Sequence, residues 1–461
     1  MHKPARPTLG FLAVGLGTLT APLDSAVNIA FPSITAAFGL AVEDIRFVII
    51  AYVLTHSSLM LVCGKLGDLL GYRRIFVTGL GVSAVAFAAC ALAPTLPLLL
   101  AGRVLQGVGI ALTLSCGPAL ATSLYDESQR TRVLAAYAAI AAVGSALGPL
   151  AGGILVEQFG WSVVFWARVP LVLLALLLAS AIPRATRPGT MRGFDGLGAL
   201  LLVLWSTTFL LAIAAHSTPL GPGLQVVLAA ASVLAMWAFI VRSRNHPSPV
   251  VRPALFRDVR FVAMNLAAIV VQFAAFSIML LVPFWLARTA GLGAGAAGLV
   301  LCLAAVGTVV GAALAGRLAP RVGATALAVG GIVLSMVGLF AIAGWTAQTT
   351  MLPMAVALIA QGFGLGLFQV AYTDLVIATL PAEERGVAGS LTMVTRTIGV
   401  VGAATGLSAA HRHFEDLALA AGQAAADAFV TGFQTTFRGV AVALGLGLIF
   451  ALISTRARKL P

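Results

Sequence analysis

The sequence predicts an all-α integral membrane protein: two six-helix bundles with two extra helices between them, 14 transmembrane helices in all. Three observations predict it: an excess of apolar residues, runs of bilayer length, and motifs that return at a nearly constant shift. Sixty per cent of the 461 residues are hydrophobic and 9% are charged, with a mean hydropathy of +1.04. About a quarter of a soluble domain is charged. This chain therefore lacks the polar surface to cover a water-soluble globule, and most of it faces a lipid bilayer. The 49 glycines suit close helix–helix approach, because lipid supplies no hydrophobic drive between helices and small residues let backbones pack.

About twenty apolar residues cross the hydrocarbon core. By that measure the spans run roughly over 9–31, 46–66, 75–93, 97–120, 133–156, 163–182, 197–215, 223–241, 261–286, 294–316, 324–344, 351–377, 387–410 and 434–454. Open sheet edges cannot face lipid, so each span is expected as a helix. The pair at 197–215 and 223–241 is bounded by short loops rich in Pro and Gly. Lys3 and Arg6 ahead of the first span imitate a secretory signal, but the apolar run outlasts one and further spans follow.

Orientation follows from Lys and Arg. With the N-terminus in the cytoplasm, 21 of the 28 basic residues fall in inner segments. Five, namely Arg46, Arg168, Arg288, Arg412 and Arg438, fall on the outer side, and Arg103 and Arg396 fall within spans. Both termini are therefore expected in the cytoplasm, which requires an even number of spans. The net charge of +13 is accounted for by topology, so no nucleic acid is expected as a partner.

The halves repeat. "GKLGDLLG" from Gly64 returns as "GRLAPRVG" from Gly316, and "LQGVGIAL" from Leu105 returns as "AQGFGLGL" from Ala360. Ser128-Gln129-Arg130 aligns with Glu383-Glu384-Arg385 at the same offset as the second pair. Nearly constant shifts indicate two homologous halves, and shifts longer than half the chain place extra material between them. The domains are expected at 1–182 (six helices), 183–260 (two inserted helices with cytoplasmic linkers) and 261–461 (six helices). Two repeats around a central site are the plan of one large class of secondary transporters.

Cys63, Cys90, Cys116 and Cys302 lie in apolar stretches without metal-ligand spacing and read as small hydrophobes. His411 and His413 fall in an outer loop, where metal binding stays open as a minor alternative. The chain carries no GxxxxGK[ST] loop and no HExxH or GxSxG in a suitable context. No enzyme, metal or cofactor is expected.

Four motifs carry a resemblance. The loop after the second span has Gly64, Leu66, Gly67, Asp68, Gly71 and Arg73 and resembles the cytoplasmic loop of the major facilitator superfamily. Leu69 and Tyr72 replace its usual basic residues, and the second copy has Pro320 in place of Asp68. Its glycines permit a tight turn, and Asp68 is placed to pair with an Arg or a helix N-terminus, so Gly64, Asp68, Gly71 and Arg73 form an expected conformational latch. "GSALGPLAGG" in the fifth span, with Gly144, Gly148, Pro149, Gly152 and Gly153, is similar to the helix motif of antiporters in that superfamily. There Pro removes a hydrogen bond and kinks the helix, while glycines allow close packing. "RVLQGVGIA" from Arg103 looks like the Arg-x-x-Gln-Gly-x-Gly motif of the same superfamily. "LDSAVNIAFP", from Leu23 to Pro32, resembles the first-helix signature of its fourteen-span drug:proton antiporters, as do "AFVTGF" from Ala428 and Arg396 within the thirteenth span. The resemblance implies the major facilitator fold and proton-coupled efflux of small amphipathic compounds, drugs or antibiotics, by alternating access across the cytoplasmic (inner) membrane. The partners so implied are a small-molecule substrate and protons, and a monomer is expected.

Asp24 is the sharpest residue in this reading. At 1.5 Å per residue it stands about 7 Å below the outer edge of the core, and Arg103, on a helix running inward, about 8 Å below it. An unpaired charge there costs at least a few kcal/mol, and pairing relieves the cost. Burial favours the neutral acid and a nearby guanidinium favours the carboxylate. Asp24 and Arg103 are therefore expected to form the proton-coupling pair. Asn28, Tyr52, His56, Gln106, Gln272, Phe276, Gln361 and Arg396 are expected to line the substrate cavity, where aromatic surface and a few hydrogen bonds suit amphipathic ligands. Other roles stay open at this point: a permanent Asp24 pair with no part in coupling, export of a single metabolite without protons, or a membrane sensor.

Overall fold

The computed structural model describes residues 7–183, 195–215, 221–246, 259–379 and 385–456. All regular structure among them is helical. The chain divides into two compact units, one of Met1–Gly39 with Phe47–Val250 and one of Leu40–Arg46 with Val251–Pro461.

The first unit contains α1 (Pro7–Leu19), α2 (Ser25–Ile29), α3 (Phe31–Phe38), α4 (Ile45–Leu70), α5 (Tyr72–Ala91), α6 (Leu96–Ser123), α7 (Arg130–Phe159), α8 (Val163–Trp166), α9 (Arg168–Leu178), α10 (Gly196–Ala215) and α11 (Gly221–Asn245). The second contains α12 (Val259–Arg288), α13 (Ala294–Val322), α14 (Ala324–Ile342), α15 (Met351–Thr379), α16 (Arg385–Ala420) and α17 (Ala425–Arg456). Among the described residues, 11 helices are long and apolar enough to cross a membrane. The expected spans at 46–66, 197–215 and 387–410 coincide with the helices α4, α10 and α16, which are not among those 11.

The first span is not one continuous helix. It breaks after Leu19, passes through a 3-10 turn at Pro22–Asp24 and resumes as α2. Pro22 has no N–H to continue the α-helical pattern. Side chains take up carbonyls around the break: the Thr20 hydroxyl donates to Gly17 O at 2.7 Å and the Ser25 hydroxyl to Pro22 O at 2.8 Å. Irregular backbone at membrane depth is tolerated where protein surrounds it. The break sets Asp24 on a turn instead of on a regular helix face.

The turn expected across the Gly64 motif is confined to its end. Helix α4 runs through Gly64 and Gly67 to Leu70, and only Gly71 leaves helical geometry, with φ of 92°. Gly67 serves packing instead: a Cβ there would lie 2.7 Å from the Tyr72 ring and 2.9 Å from Cys116 Sγ. The Asp68 side chain lies outside the described residues. Arg73 Nε donates to the Ala179 carbonyl just past α9 at 3.2 Å, so this arginine ties α5 to the end of the sixth span.

Two pairs of positive-φ glycines stand at the same separation. Gly39 and Gly291 both have φ of 64°, and Gly71 at 92° corresponds to Gly323 at 84°. Both pairs are separated by the shift read from the Gly64 and Gly316 motifs. In the second unit α13 and α14 pack on α15 through backbone contact. A Cβ at Gly362 would stand 2.0 Å from Ala304 O, and one at Gly331 2.6 Å from Gly364 O, so larger residues there would force the helices apart.

Helices α10 and α11 pack on each other and group with the first unit. Ser206 of α10 meets Ser58 of α4 at 2.9 Å between hydroxyls. Asp195, buried just ahead of α10, accepts the Gly198 N–H and Arg242 Nε of α11, each at 2.9 Å. Burial works against its ionisation, but those two bonds, with the positive charge nearby, outweigh it and hold the carboxyl below its ordinary range.

His411 and His413 are not in a loop, because α16 continues to Ala420. His411 is buried, with Nδ1 3.5 Å from Glu415 Oε2 one turn on and its ring 4.8 Å from that of Phe429. That histidine is the main influence holding Glu415 below its ordinary range. The "AFVTGF" stretch is part of this packing: Gly432 lets α17 approach α16, since a Cβ there would meet His411 O at 3.0 Å. Phe433 packs on Trp285 and Trp345 at ring-centroid distances of 5.8 and 6.3 Å.

Candidate functional site

The break in the first span aims the Asp24 carboxylate at a cluster of three donors. Arg103 on α6 donates from Nη1 to Oδ1 at 2.7 Å and from Nη2 to Oδ2 at 2.9 Å. This is a two-bond fork, the geometry in which guanidinium and carboxylate bind most specifically. Gln106, one turn further along α6, donates to Oδ1 at 2.8 Å and accepts from Arg103 Nη1 at 2.8 Å. Arg168, the first residue of α9, donates from Nη1 to the same Oδ1 at 2.7 Å.

Each arginine is also fixed from behind. Arg103 Nε donates to Val48 O of α4 at 3.1 Å, and its guanidinium lies 4.4 Å from the Tyr52 ring centre. Tyr52 stacks on His56 at 5.8 Å with 10° between the planes. Arg168 Nε donates to Val164 O at 2.9 Å, and its guanidinium lies 4.9 Å from the Phe87 ring and 5.4 Å from the Phe165 ring. Aromatic faces stabilise a desolvated cation. Both arginine side chains are 2% exposed, and Asp24 is 14% exposed.

Buried ion pairs are poor stabilisers, because desolvation consumes most of the attraction. Ionisable groups inside a membrane bundle are expensive and mark ion or substrate pathways. One carboxylate faces two guanidiniums, so the cluster carries a net positive charge that favours the ionised acid.

The antiporter-like motif faces this same segment. Gly144, Gly148 and Gly152 recur every fourth residue and so share one face of α7. A Cβ at Gly144 would lie 2.7 Å from Leu19, one at Gly148 2.1 Å from Ser25 Oγ, and one at Gly152 2.5 Å from Ala26 Cβ. Gly153 is buried, and the α7 assignment continues through Pro149 to Phe159. The motif thus forms a smooth track against which the broken stretch carrying Asp24 rests.

The residues expected for the cavity divide between the units. In the first unit Tyr52, His56 and Gln106 join the Asp24–Arg103 cluster directly or through one ring, and Asn28 sits half-buried on α2, one turn beyond Asp24. In the second unit Gln272 and Phe276 lie on α12, half-buried. Gln361 is buried where α14 meets α15, its carbonyl accepting the Ser335 hydroxyl at 3.1 Å. Arg396 is exposed on α16.

Two features escaped the reading of the sequence. Arg168, counted there among the outer charges, is a full member of the Asp24 cluster. Its signal was a lone charge five residues into the apolar run at 163–182. In the second unit Asn265 Oδ1 accepts from Tyr372 at 2.9 Å and from Thr395 at 3.1 Å, a buried junction of α12, α15 and α16 that no motif announced.

The model of the Major Facilitator Superfamily matches residues 14–404. The chain belongs to the Major Facilitator Superfamily. This facilitator is therefore a multi-pass membrane protein of a transporter family, with relatives of the multidrug-efflux type. Multidrug resistance protein Stp of Mycobacterium tuberculosis is 27% identical over 85% of this chain and 73% of its own. The methylenomycin A resistance protein of Streptomyces coelicolor is 30% identical over 84% of this chain and 82% of its own. The riboflavin transporter RibZ of Clostridioides difficile is 25% identical over 84% of each chain. Among solved structures, the POT family transporter PepTSo superposes with a TM-score of 0.71 at 15% identity, covering 100% of this chain and 99% of that one, a likeness of fold alone.

Proposed function

We propose that this facilitator exports small amphipathic organic compounds, such as drugs or antibiotics, from the cytoplasm in exchange for protons, by alternating access across the cytoplasmic membrane. The observation that carries the reading is Asp24, a carboxylate in the first apolar span held by Arg103, Gln106 and Arg168. Protonation of Asp24 and its ion pairs compete for the same oxygens. A conformational change that draws the guanidiniums away loads a proton, and their return expels it. A membrane potential of 100 mV supplies about 2.3 kcal/mol per charge, enough for roughly fifty-fold accumulation per proton.

In this reading all 14 expected spans cross the bilayer, both termini are cytoplasmic, the protein acts as a monomer, and residues 183–260 are an insertion between two six-helix halves. Gly64, Asp68, Gly71 and Arg73 form the cytoplasmic latch. Asn28, Tyr52, His56, Gln106, Gln272, Phe276, Gln361 and Arg396 contribute to substrate binding. The test is made in everted membrane vesicles acidified inside and reported by a pH-sensitive dye. Added substrate releases the trapped protons from an antiporter and leaves the dye unchanged if transport is not proton-coupled. The relative named a riboflavin transporter favours a second reading, dedicated export of one metabolite. A panel of dyes and antibiotics against expressing cells separates the two by breadth.

A further inference from the structure

Two arginines converge on one carboxylate oxygen, yet they ride on different elements. Arg103 belongs to the uninterrupted 28-residue helix α6. Arg168 is the first residue of α9, on the sixth span, separated from the end of α8 by Ala167 alone. Arg103 grips through a fork and is braced by Gln106, whereas Arg168 makes one bond to Asp24, and its Nη2 is buried without a hydrogen-bond partner. One carboxylate for two guanidiniums leaves a surplus positive charge. That charge rests on the Phe87 and Phe165 rings.

We propose that Arg168 is a positioning residue for proton exchange at Asp24, a second guanidinium whose approach and withdrawal set the pH at which that carboxylate takes up its proton. The inference rests on the proposed proton coupling and extends it. With Arg103 alone the cluster would be neutral, and one movement would free Asp24. With Arg168 present the carboxylate stays ionised until α6 and the start of α9 have both let go. A proton on Asp24 while either guanidinium remains would leave positive charge facing a neutral acid at low effective dielectric. The other titratable groups nearest the cluster are Tyr52 of α4 and Cys90 of α5, which lie within its electrostatic reach. His56 stands one ring further out, behind Tyr52. From α7 the track of Gly144, Gly148 and Gly152 packs on the segment.

The test is a pH titration of purified full-length protein by infrared difference spectroscopy, paired with transport in proteoliposomes at stepped pH. The carbonyl stretch of the protonated carboxyl is assigned to Asp24 by its loss in Asp24→Asn. Expected for Arg168→Gln is a midpoint shifted to higher pH by about one unit or more, since a neighbouring Arg moves a carboxylate by one to three. The transport profile is expected to move the same way, and Arg168→Lys to keep both curves within about half a unit of the parent, within the one-unit scatter that folded-state carboxylates show. Phe87→Leu removes the ring under Arg168 and leaves Arg103 on Tyr52; it is expected to shift the midpoint in the same direction by a smaller amount, and it serves where Arg168→Gln does not fold. Superimposable titrations for the parent, Arg168→Gln and Phe87→Leu overturn the proposal even if transport remains proton-driven. Parent transport indifferent to the proton gradient overturns the coupling itself, and the role of Arg168 with it.

Discussion

Arg103 and Asp24 meet through two parallel hydrogen bonds, Nη1 to Oδ1 at 2.7 Å and Nη2 to Oδ2 at 2.9 Å, although 79 residues separate them in the chain. Such a fork fixes the angle between the first span and α6 as well as the distance. Separation of the pair is therefore a discrete event, which suits a switch between two states better than a gradual loosening.

Asp24→Asn is expected to abolish proton-driven efflux while the protein still inserts. The variant also leaves two buried guanidiniums without an anion, and breaking a buried pair from one side costs about 3–5 kcal/mol. The double variant Asp24→Asn with Arg103→Gln removes one of the stranded charges. It is expected to recover part of the thermal stability and none of the transport. Dye-release assays and melting curves on the same preparations check both halves, and gradient-driven efflux by either variant at the parent rate overturns the assignment.

Arg103→Lys keeps the charge and loses the fork. An ammonium is a point charge that cannot make two parallel bonds to a carboxylate, and it cannot reach Val48 O from the position of Nε. We expect efflux to fall about tenfold, the effect of about 1.4 kcal/mol, with substrate binding changed less than turnover. Equilibrium binding of a fluorescent substrate beside initial transport rates gives the comparison. Equal loss in both would make Arg103 a substrate ligand instead.

The reach of the sequence can be judged at particular residues. Asp24 and Arg103 were legible because charge inside an apolar run is costly and helical rise gives depth, so two opposite charges at one depth point to each other. The repeat was legible because a tight turn between helices needs glycine, and Gly71 and Gly323 fill the same positive-φ position. Arg168 was misread because its place near the end of a span is where positive charges ordinarily stand in water. Depth alone does not say which way a side chain turns, and Arg168 turns inward, onto Asp24. The interruption after Leu19 was hidden for a similar reason: hydropathy counts apolar residues and is blind to Pro22 and to the hydroxyls that satisfy the broken turn. The helical continuation through His411 and His413 was missed because polar residues end a membrane span without ending a helix.

Asp195 ties α10 to α11, and its removal is expected to loosen that pair. Asp195→Asn loses charge-assisted bonds to Gly198 N–H and Arg242, about 1–3 kcal/mol. The carboxyl is held below its ordinary range in the folded protein, so its contribution is fully present above the unfolded-state value of about 3.9. It is lost as pH falls through the lower folded value. The melting-temperature gap between parent and variant should therefore be constant from pH 7 down to about pH 5 and close at more acid pH. A gap that widens on acidification would contradict this sign.

The track on α7 makes the most specific steric prediction. A Cβ at Gly148 would stand 2.1 Å from Ser25 Oγ but 3.4 Å from Ser25 Cβ. Gly148→Ala therefore clashes with the hydroxyl alone; relief comes from rotating that hydroxyl off Pro22 O, which loosens the broken stretch, or from moving the stretch, with Asp24 on it, away from α7. Overpacking of this kind costs about 1–3 kcal/mol, and because the disturbed segment carries the carboxylate proposed to couple transport to protons, efflux is expected to fall by at least tenfold. Ser25→Ala removes the clashing oxygen and its bond to Pro22 O, a mild loss by itself. Combined with Gly148→Ala it leaves only a close methyl contact and is expected to restore most of the efflux. Restoration in the double variant, measured as initial rate per inserted protein, would assign the role of Gly148 to the approach of α7 to the Asp24 segment. Failure of Ser25→Ala to rescue would place it in the bending of α7 beside Pro149.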